Sequence, residues 1–140
     1  MFNTLLKTTL ASLLICTTSA SAQGKFLTAA EVKPILNATK ASWIAVREYD
    51  GQDLLYFSHL LAWRCGLSGL LYTINDAEPM LNWALTPCNE DSPTPAAILE
   101  DQAIYLAQPL NSIQTITVQI TYDDNTADTV TYARKSVLIP

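Results

Sequence analysis

The clearest periodicity in the chain lies near its C-terminal end. In "SIQTITVQITY" (112–122), Ile116, Val118, Ile120 and Tyr122 alternate with Thr115, Thr117, Gln119 and Thr121. A period of two marks a strand with one buried face and one wet face. After the polar stretch 123–128, "TVTYA" resumes the alternation with Val130 and Tyr132 on the apolar side. These two segments predict a hairpin in an antiparallel sheet, which can leave one face in water. Upstream, "SWIAVREY" (42–49) is rich in strand-forming residues and runs into the turn pair Asp50-Gly51. "DLLYFSHLLAWRC" (53–65) predicts a long second strand with a bulge or bend, and "GLSGLLYTIN" (66–75) a third strand ended by Asn75-Asp76. The prolines of "EPMLNWALTPCNEDSPTP" (78–95) exclude a central strand and leave room for a short one near Trp83. "TPAAILED" (94–101) predicts one helical turn with Thr94 as its cap and Pro95 at the first helical position.

Helical spacing appears once, in "LTAAEVKPILNATK" (27–40). Thr28 and Glu31 form a capping box, and Leu27 can pack on Val32 across the helix start. Val32, Ile35, Leu36 and Thr39 fall on one face, while Pro34 predicts a kink or two short turns. One helix followed by strands predicts a mainly β domain: a small antiparallel β-sandwich or barrel with the N-terminal helix packed on it. There is no internal repeat and no linker, so residues 23–140 are expected to form one domain.

Residues 1–22 read differently. One basic residue, Lys7, precedes an apolar run from Leu10 to Cys16, and Ala20-Ser21-Ala22 fits the A-x-A cleavage rule. This predicts a signal peptide, a mature chain beginning at Gln23, and a periplasmic or secreted location. The run is far shorter than the roughly 20 apolar residues that span a bilayer, and Ile15 before Cys16 does not suit lipoprotein processing. Loss of Lys7 leaves seven basic residues against 13 acidic ones, a net charge of −6. An acidic chain with scattered lysines and arginines has no footprint for nucleic acid or anionic lipid. No membrane insertion is expected after cleavage. Cys16 would leave with the signal, so Cys65 and Cys88 remain and should form one disulfide in an oxidising compartment.

The richest chemistry lies in "HLLAWRCGL" (59–67), which contains the one histidine of the chain. On a strand, Ser58 points away from its neighbour His59. His59 and Cys65 would share a face, yet six residues at ~3.3 Å separate them by about 20 Å. A Cys–His dyad needs contact at about 3 Å. His59, flanked on that face by Phe57, Leu61 and Trp63, therefore reads as a core residue. A metal site needs three or four ligands, so neither a metal, a cofactor nor a catalytic residue is expected. Glu90-Asp91 and the loop 123–128 lack EF-hand spacing. Trp43, Trp63 and Trp83 read as core aromatics. A Cys65–Cys88 bond would tie "NEDSPTP" (89–95) beside Arg64, presenting Glu90 and Asp91 on a stiffened loop; the alternative is an exposed ion pair of Arg64 with either acid. The expected function is a non-enzymatic binding module for an envelope protein or peptide, working through loops at one end of the β-structure. A small carboxylate-based hydrolase is the alternative.

Two resemblances bear on this reading. "YDGQDLLYFSHLLAWRCGL" with "PCNED" resembles a group of small exported bacterial proteins with no assigned activity, over most of the mature chain. Ser68-Gly69-Leu70-Leu71-Tyr72 is similar to the S-G-x-x-Y segment of periplasmic C-type lysozyme inhibitors, small disulfide-bearing β-barrels. That similarity implies that Ser68 and Tyr72 line an inhibitory loop. The lysine-glycine motif of that family has no counterpart here.

Overall fold

The computed structural model describes residues 24–140. The segment read as a signal peptide lies outside the described residues. Helix α1 (Ala29–Ala38) is followed by β1 (Ala45–Tyr49), β2 (Gln52–Tyr56), α2 (Ser58–Ala62), β3 (Leu67–Ile74) and β4 (Leu81–Asn82). Then come β5 (Tyr105–Pro109), β6 (Thr115–Tyr122), β7 (Ala127–Ala133), α3 (Arg134–Val137) and β8 (Leu138–Ile139). The protein is mainly β, with two four-stranded sheets in the orders β5-β2-β1-β8 and β4-β3-β6-β7. They do not join into a closed barrel. Pairing is antiparallel except between β1 and β8, which run parallel.

Local chemistry explains the turns. Asp50 and Gly51 both take positive φ, 50° and 72°, and close the two-residue β1–β2 hairpin as a D-G pair does best. Asn75 and Asp76, at 54° and 57°, end β3 in the same way. The β6–β7 hairpin keeps an unbroken register from Thr115↔Ala133 to Thr121↔Ala127, with Ile116, Val118, Ile120 and Tyr122 all buried. Strands β5 and β8 carried no clear signal. β8 has two residues, and β5 is an edge strand ending in Pro109.

One hydrophobic cluster draws on both sheets and the helix: Val46 and Leu55 from the first sheet, Leu70, Ile116 and Ile120 from the second, and Val32 and Leu36 from α1. The Thr28–Glu31 capping box forms as expected. The helix does not break at Pro34; Thr39 N–H donates to Ile35 O beyond it. The proline frees only the Ala30 carbonyl, and both residues face solvent, where water can take that bond. The helix comes so close to Gly66 that a Cβ there would lie 2.4 Å from Val32 Cγ2 and 2.8 Å from Thr28 O.

The expected strand 53–65 is the main correction. It ends at Tyr56, and the chain turns into α2 and then a 3-10 turn over Arg64–Gly66. Leu60 and Leu61 are adjacent and both fully buried, which one half-buried strand cannot achieve but a helix can. The unbroken apolar run hid this, because periodicity does not separate a buried strand from a buried helix. Residues 94–101 form no helix either; a single turn is closed by Ala97 N–H donating to Thr94 O at 3.1 Å.

A charged lock ties the sheets together. Asp53, on β2, is fully buried. Arg134, at the start of α3, grips it through two nitrogens at 2.6 and 3.0 Å and reaches Glu48 on β1 at 2.7 Å. Asp53 also accepts the backbone N–H groups of Asn111 and Ile113, each at 3.1 Å. These bonds hold its carboxyl at about 2, well below the ordinary carboxylate range.

Candidate functional site

The segment 57–66 builds one end of the molecule. The helical turn of α2 carries Trp63 to the surface, half-buried and edge-on to Phe26 with ring centroids 5.1 Å apart. The next two residues look the other way. Arg64 is buried, at 3% exposure, and Cys65 is bonded to Cys88 with 5.7 Å between their Cα atoms.

Arg64 has no carboxylate partner, contrary to the ion pair with Glu90 or Asp91 held open from sequence. Its Nε donates to Thr86 O at 2.8 Å, and Nη1 to Ala96 O at 2.7 Å and Leu61 O at 3.0 Å. Nη2 reaches Ala97 O at 3.4 Å. A buried guanidinium without an opposing charge needs its donors satisfied, and main-chain carbonyls do that here. Burial pulls its pKa below the usual arginine value. The ion pair is replaced because main-chain carbonyls beneath the loop's two ends take the guanidinium donors, while Glu90 and Asp91 stay exposed to water.

The loop 86–97 is therefore held at several points. Arg64 binds both ends and the disulfide fixes position 88. Asn89 N–H donates to Pro95 O at 3.1 Å across the loop, and Lys25 Nζ to Glu90 O at 2.9 Å from the N-terminal side. Glu90, Asp91, Pro93 and Thr94 are exposed on it. Between this loop and the Phe26–Trp63 pair runs an open cleft of about 690 Å³, walled by Pro93, Pro95 and Ala96. Among the described residues, Lys25 is the one ionisable side chain on its lining. A second cleft of about 310 Å³ lies on the other side of the disulfide and includes Arg64, Ser68 and Glu90.

His59 lies outside both clefts. Half-buried, it meets Thr39 Oγ1 at 2.9 Å through Nε2. The Thr39 hydroxyl donates its proton to Ile35 O at 2.8 Å, so Nε2 must carry hydrogen and donate to Thr39. Burial lowers the pKa of His59, which favours this neutral form. Its role is to tie α2 to the end of α1. His59→Gln should lower stability by about 1 to 3 kcal/mol, as for a lost partly buried hydrogen bond. Urea melts of the two proteins measure this, and equal midpoints would show that the bond contributes nothing.

Ser68 and Tyr72 both stand on β3, not on a loop. Ser68 is exposed and donates to Tyr122 O at 3.0 Å, whereas Tyr72 packs against Phe57 at 5.2 Å between centroids. Ser68 lines the cleft beside the disulfide and Tyr72 does not. Trp43 is fully buried and donates to Leu36 O at 2.9 Å, and Trp83 is half-buried against Phe57. Among the described residues, no three His, Cys, Asp or Glu side chains gather as a metal site, and no helix is long and apolar enough to cross a membrane. No family model, curated protein or solved structure matches this chain.

Sequence reasoning missed the Phe26–Trp63 wall and the clamp of Arg64. A signal for the clamp was present. Arg64 is the one charged residue between Leu54 and Ile74, and a cation in such a run is almost never buried without a dedicated set of partners. Phe26 had no comparable signal.

Proposed function

We propose that the protein is a non-enzymatic binding module of the cell envelope, which takes an extended, basic segment of another protein into the cleft beside Trp63. The two sheets would stack as a sandwich, with this cleft and its loop at one end. The observation that carries the reading is the pinned loop 86–97. Its ends are held by Arg64, position 88 by the disulfide, and its outer surface shows Glu90 and Asp91. A loop fixed in this way has little conformational freedom left to lose on binding. Pro93 and Pro95 face aromatic rings across the cleft, a surface that suits side chains with apolar stems. Glu90 and Asp91, exposed on the loop, together with a net charge of −6 on the mature chain, favour a basic partner and hasten its approach. A lining with a single ionisable group supports binding over acid–base hydrolysis, which needs two carboxyl groups flanking the substrate.

The test is Glu90→Ala with Asp91→Ala in the mature protein, with thermal melting and capture from an envelope extract measured side by side. The expected outcome is unchanged melting with loss of a partner that the parent protein retains at low salt. An identical capture profile would reduce the loop to scaffold.

A further inference from the structure

Four strands form the edges of the two sheets, and three of them are guarded. β4 and β8 have two residues each, and β5 ends in Pro109, which has no N–H to offer. β7 is different. It has seven residues, "ADTVTYA", without proline, lysine, arginine or any register shift against β6.

The hydrogen-bond phase of β7 follows from its two ends. Tyr122 N–H donates to Thr126 O at 2.8 Å, and Arg134 N–H to Gln114 O at 2.8 Å. Even-numbered residues of β7 thus exchange bonds with β6, because hydrogen-bonded pairs alternate along an antiparallel ladder. The N–H groups of Ala127, Thr129, Thr131 and Ala133 and the C=O groups of the first three point to the open edge, while the Ala133 carbonyl accepts from Ser136 Oγ at 2.7 Å. These four residues are exposed, and among the described residues none of their N–H groups has a protein acceptor.

We propose that β7 pairs with β7 of a second copy of this chain, antiparallel about a two-fold axis through Val130, so that two four-stranded sheets become one continuous sheet. The strand is self-complementary in this register. Ala127 faces Ala133 of the other copy and Thr129 faces Thr131. Each Thr129–Thr131 pair can exchange two hydrogen bonds, and each Ala127–Ala133 pair one, from the Ala133 N–H to the Ala127 carbonyl. On the outer face the threonines meet as cross-strand pairs, which are favourable. On the inner face the half-buried Val130 meets its own copy on the axis. No acid faces an acid in this register. A two-fold contact of one patch with itself closes on a dimer and cannot grow into a filament.

The experiment uses the mature, disulfide-bonded protein. Sedimentation equilibrium over a concentration series should give a dimer, with a dissociation constant in roughly the micromolar range for so small an interface. Thr131→Pro removes an outward N–H and, on the wet face, the hydroxyl bond to Thr117; it should yield a monomer with an unchanged circular dichroism spectrum. Should that variant fail to fold, Val130→Cys tests the same register. It places two thiols on the axis, and mild oxidation should give a covalent dimer in high yield. Gln119→Cys, one strand away, should not. A parent protein that stays monomeric at about 1 mM, far above any micromolar constant, would overturn the proposal. Cross-linking at 119 as efficient as at 130 would do the same.

Discussion

Arg134→Met should destabilise the protein by about 3 to 5 kcal/mol, the range seen when one partner of a buried ion pair is removed. The penalty arises from what remains. Asp53 has no exposed surface, and after the substitution its carboxylate would keep two backbone N–H donors and no opposing charge. Glu48 would suffer little, because nearly half of its side chain is already in water. The lock also predicts a pH dependence of definite sign. The carboxyl of Asp53 is lowered from 3.8 to about 2 on folding. The unfolded chain therefore binds the proton more readily, and the stabilisation is fully present above pH 4. It is lost as the pH falls from about 4 towards 2, and its size is about 2 kcal/mol from a shift of that order. Denaturant melts from pH 6 down to 2.5 will measure it. In Asp53→Asn this component of the acid limb should be flatter; an identical slope in both proteins would mean that the lock does not set the acid limit.

The second large effect concerns the disulfide. Cys65→Ser with Cys88→Ser should lower stability by about 2 to 5 kcal/mol, the usual range for a native bond in a small domain. Thiol labelling of the unreduced mature protein should find no free cysteine. Arg64 does not depend on the disulfide and would continue to hold the carbonyls of Thr86 and Ala96. Reduction should thus loosen 88–94 first, with the core retained. Limited proteolysis after reduction should cut within that span before any strand. Early cleavage in β6 or β7 would mean instead that the bond supports the whole fold.

The legible parts of the fold were those where burial alternates. β6 and β7 could be read residue by residue because one side of each is wet, and the Asp50-Gly51 turn because its backbone demands left-handed residues. The segment 53–65 could not, since an apolar run buried on all sides has no period to read. That error displaced the site as well. A straight strand would have carried Trp63, Arg64 and Cys65 away from His59 in a line, whereas the helical turn gathers two of them around one loop. The disulfide was readable from the cysteine count and the compartment that the N-terminal sequence predicts. The partners of Arg64 were not, because carbonyl oxygens leave no mark in a sequence.

That same blindness of Arg64 to side chains has a further consequence. Its contacts at 86, 96 and 97 are with main-chain atoms, which every amino acid supplies. The clamp itself therefore places no demand on the side chains of residues 89–94, although Asn89 and Ser92 bond backbone N–H groups within that span. In this respect the chain is a small presentation scaffold, whose displayed surface can change without renegotiating the core.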